Sequence, residues 1–354
     1  MFRTWTPRRK RALAIGLAAL VVLIGLLVWR LWPRPAELSG TLLVRQEGAT
    51  ARLSLPDETL RPLAFDLPDD VRADVSGLSV ALDGSRLAFI GAQSGPIYRV
   101  FVANADGSGA RPVSSGPRDS QPAISPDGSQ IVFVRSRDFF SALFHVDLAT
   151  GTERQLTDYT NDLEPNWSPD GSRIVFTTSR DGFQELYTMA PDGSDQRRLT
   201  ANEGLNDLRA VYSPDGARIA YMTNRSVGDG TGEIWVMDAD GGNQRRLTDN
   251  MLDDRSPTWS PDGRAIGLTT STLPPDIQTR IAVYDLDANR LRLLTKFGET
   301  SAFGQTWSPD GEWIAYLERV ASHHYRLMAV RRDGTDRRVL LESVSATQPV
   351  WLSD

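Results

Sequence analysis

The sequence predicts an all-β protein, a β-propeller of seven four-stranded blades closed by the C-terminal strand and preceded by one transmembrane helix. Three observations predict this fold: a unit repeated at intervals of 43 to 48 residues, a C-terminal segment that copies the start of that unit, and an uncharged apolar run near the N-terminus. A period of roughly 40 to 50 residues is typical of a four-stranded propeller blade.

The repeated unit occurs six times, and each copy contains a turn glycine. These glycines are Gly84, Gly128, Gly171, Gly216, Gly263 and Gly311. In the clearest copy the glycine ends the segment 168–171, Ser-Pro-Asp-Gly, which lies just before the apolar run 174–176. The fixed φ of proline and the conformational freedom of glycine suit a type I turn, here between the first two strands of a blade. Six copies therefore predict six complete blades.

A large apolar residue stands four positions before each turn glycine. The six are Val80, Ile124, Trp167, Tyr212, Trp259 and Trp307. A position that repeats in this way indicates packing between adjacent blades. The second strand of each unit is a short apolar run, as in Ile174-Val175-Phe176, which is typical of strands buried on both faces. In the copy Ile266-Gly267-Leu268, a glycine interrupts the apolar run.

The two ends of the repeat region complement each other. Residues 41–45 resemble a second strand, and residues 51–57 and 61–63 resemble a third and a fourth, but no first strand precedes them. The segment 348–352 copies the first-strand pattern of residues 121–125. We predict that the C-terminal strand completes the N-terminal blade. Seven blades then use all of residues 41–354, whereas six would leave an open edge that proteins normally avoid.

An uncharged run of 18 residues, Ala12 to Trp29, lies near the N-terminus, and Leu31 and Trp32 extend it. This is close to the roughly 20 residues that a membrane-spanning helix needs. The small-x-small site of a cleaved signal peptide does not follow it, which favours an uncleaved anchor. The basic residues before it are Arg3, Arg8, Arg9, Lys10 and Arg11.

Only Arg30 and Arg34 follow the run closely, so the positive-inside bias predicts a cytoplasmic N-terminus. The predicted organisation is a cytoplasmic basic segment over 1–11, a transmembrane helix over 12–32, a linker over 33–40 and the propeller over 41–354. The propeller is then periplasmic or extracellular.

The charge of the predicted propeller argues against a nucleic-acid partner. Residues 1–34 hold seven of the 39 basic side chains and none of the 45 acidic ones, which leaves 32 basic against 45 acidic after residue 34. Affinity for phosphate backbones needs clustered positive charge. The chain also has no cysteine, which excludes disulfides, thiolate metal sites and cysteine nucleophiles.

The repeat motifs resemble those of a known family. The segments 167–182, WSPDGSRIVFTTSRDG, and 186–200, LYTMAPDGSDQRRLT, are similar to the repeats of TolB-like propellers, which also occur in prolyl-oligopeptidase-like peptidases. The resemblance covers residues 41–354 and implies the propeller fold. TolB itself joins an α/β domain to a six-bladed propeller, whereas this sequence predicts seven blades and no such domain.

No catalytic motif or cofactor site is predicted. A serine hydrolase of the peptidase type needs a Gly-x-Ser-x-Gly turn, which does not occur in the chain. Of the three histidines, His145 lies in a predicted strand, and His323 and His324 are adjacent, which places their side chains on opposite sides of an extended segment. Asp238 and Asp240 superficially resemble a calcium loop without its distal glutamate, so we interpret them as turn residues.

Binding is predicted on the loops that join blades and on those that join the second and third strands of a blade. In a propeller these loops share one face, and here they vary in sequence while the Asp-Gly turns do not. Phe139, Phe140 and Phe183 lie among them. The candidate binding residues are Arg137, Asp138, Asp162, Glu164, Arg180, Asp181, Asp207, Arg225, Asp254 and Arg319.

The sequence thus favours a membrane-anchored, non-enzymatic scaffold whose partner is an envelope protein, a peptide or a glycan. An alternative is a carbohydrate- or peptide-processing enzyme that uses the carboxylates of Asp162, Glu164, Asp207 and Asp254, because paired carboxylates alone can cleave glycosidic bonds. A purely structural role is a third possibility. The charged loop residues are also compatible with solvated surface ion pairs.

Overall fold

The computed structural model describes residues 37–46, 49–93, 95–202, 204–225, 231–298 and 300–352. The predicted cytoplasmic segment and transmembrane helix lie outside these ranges. Within them, no helix has the length and apolar character needed to cross a membrane. The described strands form seven antiparallel sheets of four strands each, which confirms the predicted seven-bladed propeller.

The strands of a blade are named A to D, from the central channel outward. Blade 1 consists of β28 (Val350–Leu352), β1 (Gly40–Gln46), β2 (Ala49–Leu55) and β3 (Thr59–Pro62). Blade 2 consists of β4 (Val71–Val80), β5 (Arg86–Gln93), β6 (Ile97–Asn104) and β7 (Arg111–Pro112). Blade 3 consists of β8 (Asp119–Ile124), β9 (Gln130–Arg137), β10 (Phe140–Asp147) and β11 (Glu153–Gln155).

The remaining four blades follow the same order. Blade 4 consists of β12 (Leu163–Trp167), β13 (Ile174–Thr178), β14 (Glu185–Met189) and β15 (Arg197–Arg198). Blade 5 consists of β16 (Leu205–Tyr212), β17 (Arg218–Arg225), β18 (Gly232–Asp238) and β19 (Arg245–Arg246). Blade 6 consists of β20 (Asp253–Trp259), β21 (Ala265–Ser271), β22 (Thr279–Asp285) and β23 (Arg290–Leu293). Blade 7 consists of β24 (Ala302–Trp307), β25 (Trp313–Ala321), β26 (His324–Arg331) and β27 (Arg338–Val344).

The C-terminal strand closes the ring, as predicted. Strand β28 pairs antiparallel with β1, with Leu42 opposite Trp351 and Leu43 opposite Val350. Strand A of blade 1 is therefore supplied by the end of the chain, and strands B to D by its beginning. This pairing satisfies backbone groups of β1 that an unpaired edge would expose.

The Ser-Pro-Asp-Gly turn forms where the sequence predicts it, and its serine has a second role. The N–H of Gly171 donates to the carbonyl of Ser168 at 2.9 Å. The Ser168 hydroxyl accepts from the N–H of Arg173 at 2.9 Å and donates to the Asp170 carboxylate at 2.6 Å. The same hydroxyl pattern occurs at Ser125, Ser213, Ser260 and Ser308. The serine thus ties both sides of the hairpin together.

The residues before the turns pack between blades, which confirms their predicted role. The indole N–H groups of Trp167, Trp259 and Trp307 donate to strand A carbonyls of the preceding blade at 3.0, 3.1 and 3.2 Å. All three indoles are buried. The apolar clusters of the core likewise join side chains of neighbouring blades, as in the cluster of blades 7 and 1 around Trp313 and Trp351.

Packing explains why the second strand of blade 6 has a glycine, Gly267, in its apolar run. A Cβ atom at this position would lie 3.0 Å from Nε1 of Trp307 and 2.9 Å from Oγ1 of Thr258. The large indole of blade 7 therefore occupies the space that a side chain of blade 6 would need.

Candidate binding face and channel mouth

The loops between strands B and C and those between blades lie at one face of the ring, here called the loop face. The Ser-Pro-Asp-Gly turns lie at the opposite face, here called the turn face. This arrangement follows from the antiparallel order of every blade. All ten candidate binding residues belong to the loops of the loop face or to the strand ends beside them.

Exposed apolar side chains are concentrated at the loop face. Of the ten large apolar side chains exposed in the described part of the chain, seven lie in its loops or at the adjoining strand starts: Tyr98, Phe139, Phe140, Phe183, Met251, Ile277 and Phe297. Phe139 and Met251 are 93% and 89% exposed. Exposed aromatic residues beside charged ones are typical of interfaces.

The inner strands share a bulge at the channel. The residue three positions before the packed apolar side chain has a left-handed backbone in five blades: Gln121, Glu164, Arg209, Ser256 and Gly304, with φ of 48°, 55°, 56°, 55° and 67°. The register of each of these strand pairs shifts at this point. The bulge turns the strand and places these side chains beside the channel.

Hydrogen bonds link these positions from blade to blade. The Gln121 amide oxygen accepts from the N–H of Glu164 at 2.7 Å, and the Glu164 carboxylate accepts from the N–H of Arg209 at 2.8 Å. Arg209 Nη1 then donates to the Ser256 hydroxyl at 3.1 Å. We call this chain of contacts the channel belt. The channel belt links neighbouring blades at the channel. Glu164 therefore makes a structural contact between blades 4 and 5.

The belt continues through glutamines in blades 7 and 1. Gln305 Nε2 donates to the carbonyl of Ser256 at 2.7 Å, and Gln348 Nε2 donates to the carbonyl of Gln305 at 3.1 Å. Gln305 is buried, whereas Gln348 is exposed.

Three of the predicted acidic residues are buried beneath the loop face. Asp162 accepts hydrogen bonds from Arg180 Nη2 at 3.2 Å and from the Thr160 hydroxyl at 2.9 Å. Asp207 accepts from the Thr223 hydroxyl at 2.7 Å and from Asn202 Nδ2 at 2.8 Å. Their carboxylates therefore hold the ends of inner strands.

Asp254 differs from these residues, because one of its oxygens has no partner. Its Oδ2 accepts from Asn250 Nδ2 at 2.8 Å, while its Oδ1 is buried without a hydrogen bond in the described structure. Burial raises the pKa of Asp254 above its ordinary value, and burial likewise raises the pKa of Asp207. Desolvation disfavours the charged form of a carboxyl group.

Arg180 is held within blade 4. It donates to Asp162 and to Gln196 Oε1 at 2.6 Å, and its guanidinium lies 4.7 Å from the centroid of the Tyr187 ring. Arg135 in blade 3 makes a similar arrangement, with Asp119 at 2.7 Å and the Phe144 ring at 4.3 Å. Both guanidiniums thus stabilise a blade.

The other predicted residues are more accessible. Arg137, Asp138 and Arg319 are exposed and make no ion pair in the described structure. Asp181 accepts a hydrogen bond from the Tyr187 hydroxyl and lies 3.7 Å from Arg198. Arg225 ends β17, but its side chain lies outside the described part of the structure. The structure therefore divides the predicted set into buried structural groups and exposed groups.

The described residues contain no cluster of three or more histidine or acidic side chains that could hold a metal ion. His145 is buried, and its Nε2 lies 2.7 Å from the Gln130 amide oxygen. Burial lowers its pKa to about 4. Its position fits the packed histidine that the sequence predicts.

Besides a cavity of about 440 Å³ beside blades 3 and 4, lined by Thr157, Arg180 and Gln196, two further cavities open among the described loops. One of about 390 Å³ lies beside blades 5 and 6, between Glu233, Trp235 and Asn250. The other, of about 500 Å³, lies between blades 2 and 3 at the channel and is lined by Gly77, Tyr98 and Arg118. Both volumes are within the range of ligand pockets.

The sequence did not predict the channel belt or the cavity between blades 2 and 3. A signal for part of the belt does exist, because Gln121, Glu164, Arg209 and Ser256 each stand seven positions before a turn glycine. The residue type at this position varies, however, so the position does not stand out among the repeats. The cavity is not marked by any sequence motif, because it depends on the missing side chain of Gly77.

A sequence profile of the TolB beta propeller domain matches residues 84–353. No curated protein matches the chain. Among solved structures, TolB from Acinetobacter baumannii is 23% identical with a TM-score of 0.56, and the match covers 90% of this chain and 81% of that one.

Two enzyme structures share the fold. An oligogalacturonate lyase in complex with manganese is 18% identical with a TM-score of 0.60, over 86% of this chain and 85% of the lyase. A prolyl endopeptidase is 13% identical with a TM-score of 0.66, and the match covers 87% of this chain but only 50% of the peptidase. At such identities the likeness shows the fold alone.

Proposed function

This chain belongs to the TolB β-propeller family, and from that premise we propose that it is a membrane-anchored, extracytoplasmic scaffold that binds other molecules without catalysing a reaction. The fold alone does not decide between binding and catalysis, because TolB and enzymes share it. The proposal therefore rests on the loop face.

The concentration of exposed apolar side chains at the loop face carries the proposal. Phe139 and Phe183 lie in the B to C loops of two adjacent blades, and Phe140 begins β10. All three are exposed, and Arg137 and Asp138 stand beside the first two in sequence. Large exposed apolar side chains gain free energy when a partner covers them. Mixed charges beside them favour a partner with its own polar groups, such as a protein, a peptide or a glycan.

The use of the buried carboxylates supports the same proposal. Asp162 is bonded to Arg180 and Thr160, and Asp207 is bonded to Thr223 and Asn202. Glu164 joins the channel belt. Carboxylates committed to such contacts are less available as a general acid or nucleophile than free ones. The enzyme hypothesis keeps Asp254, whose Oδ1 has no hydrogen bond in the described structure.

Crosslinking in an envelope extract tests the proposal with matched variants. The triple variant Phe139→Ser, Phe140→Ser and Phe183→Ser removes apolar surface from the loop face. The control variant Leu82→Ser and Val339→Ser removes exposed apolar side chains, 64% and 40% exposed, that lie away from it. We expect the wild type and the control to capture one specific partner, and the triple variant to lose it by tenfold or more.

Equal capture by the triple variant would contradict the role of the loop face. Turnover of oligosaccharides or peptides by the purified wild type, abolished by Asp254→Asn, would instead establish the enzyme hypothesis.

A further inference from the structure

Blade 2 departs from the channel belt. Gly77 stands seven residues before the turn glycine of this blade, where Gln121, Glu164 and Arg209 stand in blades 3, 4 and 5. In those blades the side chain at this position reaches the next blade. Gly77 has no side chain with which to reach blade 3, so the belt is interrupted between blades 2 and 3.

The interruption leaves open space at Gly77. A Cβ atom built at Gly77 meets no atom within 4 Å. The N–H groups of Glu164 and Arg209 are each bonded by a side chain from the preceding blade. The cavity of about 500 Å³ lies at this position, and both Gly77 and Gln121 line it.

The walls of the cavity combine apolar, cationic and anionic groups. Of its two aspartates, Asp74 lies 3.9 Å from Arg45 of blade 1. Ile90, Pro96 and Tyr98 line it, and the Tyr98 ring is 42% exposed. The exposed guanidinium of Arg118 stands at the same cavity and makes no ion pair with a described residue. The nearby carboxylate of Asp119 is already paired with Arg135 at 2.7 Å, so it does not neutralise Arg118.

The part of the wall formed by Tyr98 and Arg118 is held in place by backbone contacts. The N–H of Tyr98 donates to the carbonyl of Pro117 at 2.8 Å, and Tyr98 bridges Arg118. Tyr98 and Arg118 are thus fixed side by side, and little conformational entropy is lost when a ligand contacts both.

We infer that this cavity, here called the blade 2–3 pocket, binds a peptide segment that presents an apolar side chain next to a carboxylate. The apolar side chain packs on Ile90, Pro96 and Tyr98. The carboxylate pairs with the guanidinium of Arg118. The inference rests on the proposed scaffold function and adds to it a ligand class and a site.

A peptide fits this position better than a small free ligand does. Ser136 lines the pocket, and the chain runs directly from it through Arg137 to Phe139, which is 93% exposed. An exposed aromatic side chain of the loop face thus follows three residues after the pocket wall. A segment of a longer chain covers both regions, whereas a ligand confined to about 500 Å³ covers only the first.

The test uses the full chain and a fluorescein-labelled library of octapeptides in which two adjacent central positions vary over all amino acids. Fluorescence anisotropy gives the affinity of the peptide that carries each pair of central residues. We expect peptides that place an aromatic or aliphatic residue beside Asp or Glu to bind at least tenfold more tightly than those with Asn or Gln instead.

Four variants locate the site. Gly77→Trp fills the pocket and Arg118→Ala removes its cation, so each is expected to weaken binding by tenfold or more. Gly77→Ala adds only a methyl group to open space, and Arg61→Ala removes an exposed arginine from the outer strand of blade 1. Both are expected to bind like the wild type. Circular dichroism and thermal unfolding verify that all four fold.

The outcomes separate this inference from the proposed function. Peptide binding that Gly77→Trp leaves unchanged, or a preference for basic pairs, overturns the blade 2–3 pocket while leaving the scaffold in place. If no peptide binds while partner capture is intact, the blade 2–3 pocket is likewise overturned and the scaffold stays in place. Loss of both peptide binding and partner capture refutes the scaffold as well.

Discussion

At the scale of single residues, the Ser-Pro-Asp-Gly turns show how one side chain fixes a hairpin. Each serine hydroxyl accepts from a backbone N–H five residues on and donates to the aspartate of the turn, as in Ser213 with Arg218 and Asp215. Blade 2 has Ala81 at this position and still forms the turn, since Gly84 donates to the Ala81 carbonyl at 2.9 Å. The serine therefore strengthens a turn that also forms in blade 2, where Leu82 stands in place of the proline.

Replacing this hydroxyl is expected to lower stability without changing the fold. Ser213→Ala removes two hydrogen bonds and leaves the N–H of Arg218 without its hydroxyl partner, so we expect a loss of about 1 kcal/mol in the free energy of unfolding. Urea denaturation of the purified protein measures it. The double variant Ser213→Ala and Asp215→Ala is the control, because a shared network predicts that the two losses are not additive. Strict additivity would show that the serine acts alone.

His145 couples the fold to pH. Its side chain is only 4% exposed, and burial, assisted by the positive charge of Arg154, lowers its pKa to about 4. In the unfolded chain the pKa of histidine is near 6.5. The neutral histidine therefore contributes stability above pH 6.5, and this contribution is lost as the pH falls from about 6.5 to about 4.

Replacing His145 is expected to flatten the pH dependence of stability. Between pH 6.5 and pH 5 we expect the wild type to lose about 1.5 kcal/mol more than His145→Phe does. The exposed His324 provides the matched control, and His324→Phe should follow the wild type. Thermal unfolding at both pH values measures the difference. Parallel curves for wild type and His145→Phe would show that His145 is protonated in the folded state at pH 5.

At the scale of elements, the closing strand β28 matters most. It provides three paired positions to β1 and buries Trp351, which is 8% exposed and belongs to the core between blades 7 and 1. Without it, β1 becomes an edge whose backbone groups and buried leucines are open to other chains.

Removal of this strand is expected to open the ring. A chain truncated after Thr347 should lose several kcal/mol of stability and self-associate, because replacing a buried tryptophan by alanine alone costs about 3 to 5 kcal/mol. Thermal unfolding and size-exclusion chromatography detect both effects. Truncation after Leu352 retains β28 and is the control. A monomeric, equally stable chain ending at Thr347 would contradict the role of ring closure.

The inner strands form the second important element. Their bulges put a residue with left-handed backbone at the channel in five blades, and side chains there link successive blades. Left-handed backbone is uncommon outside glycine, and the repetition indicates that the propeller uses it to build the channel belt. Gly77 in blade 2 and Gly304 in blade 7 both lack a side chain at this position. A Cβ atom would meet no other atom within 4 Å at Gly77, whereas at Gly304 it would contact Gln348.

At the scale of the whole molecule, the ring has two different faces. The turn face repeats one motif, whereas the loop face carries most of the exposed apolar side chains of the described chain. Repetition on one face serves hairpin stability, and variation on the other is where specificity for a partner can develop. A membrane anchor would hold this face in the compartment of its partner.

The proposed anchor can be tested by fractionation of cells that express the full chain. We expect the protein to stay in the membrane after a carbonate wash, because about 20 apolar residues insert stably into a bilayer. A variant without residues 12–32 should be released into the soluble fraction. A fusion of alkaline phosphatase, which is active only outside the cytoplasm, to the C-terminus should be active. Carbonate release of the full chain, or an inactive fusion, would contradict the proposed location.

Much of the fold could be predicted from local patterns. The turn glycines, the packed residues such as Trp167 and the C-terminal copy of the first strand predicted the blade count and the closure that the structure shows. The site was less predictable, because the sequence places charged residues on a face without showing their contacts. Asp162 and Arg180 were predicted as binding residues, and the structure joins them at 3.2 Å.

By itself the sequence determined the family, the number of blades and the face on which the variable loops lie, because each follows from a repeat that is written along the chain. Only the tertiary structure decided which charged groups are free. Partners such as Glu164 and Arg209 come from different blades, 45 residues apart, and no local pattern encodes their meeting. The blade 2–3 pocket is likewise decided by tertiary structure. It lies between blades 2 and 3, where Gly77 has no side chain to fill the space.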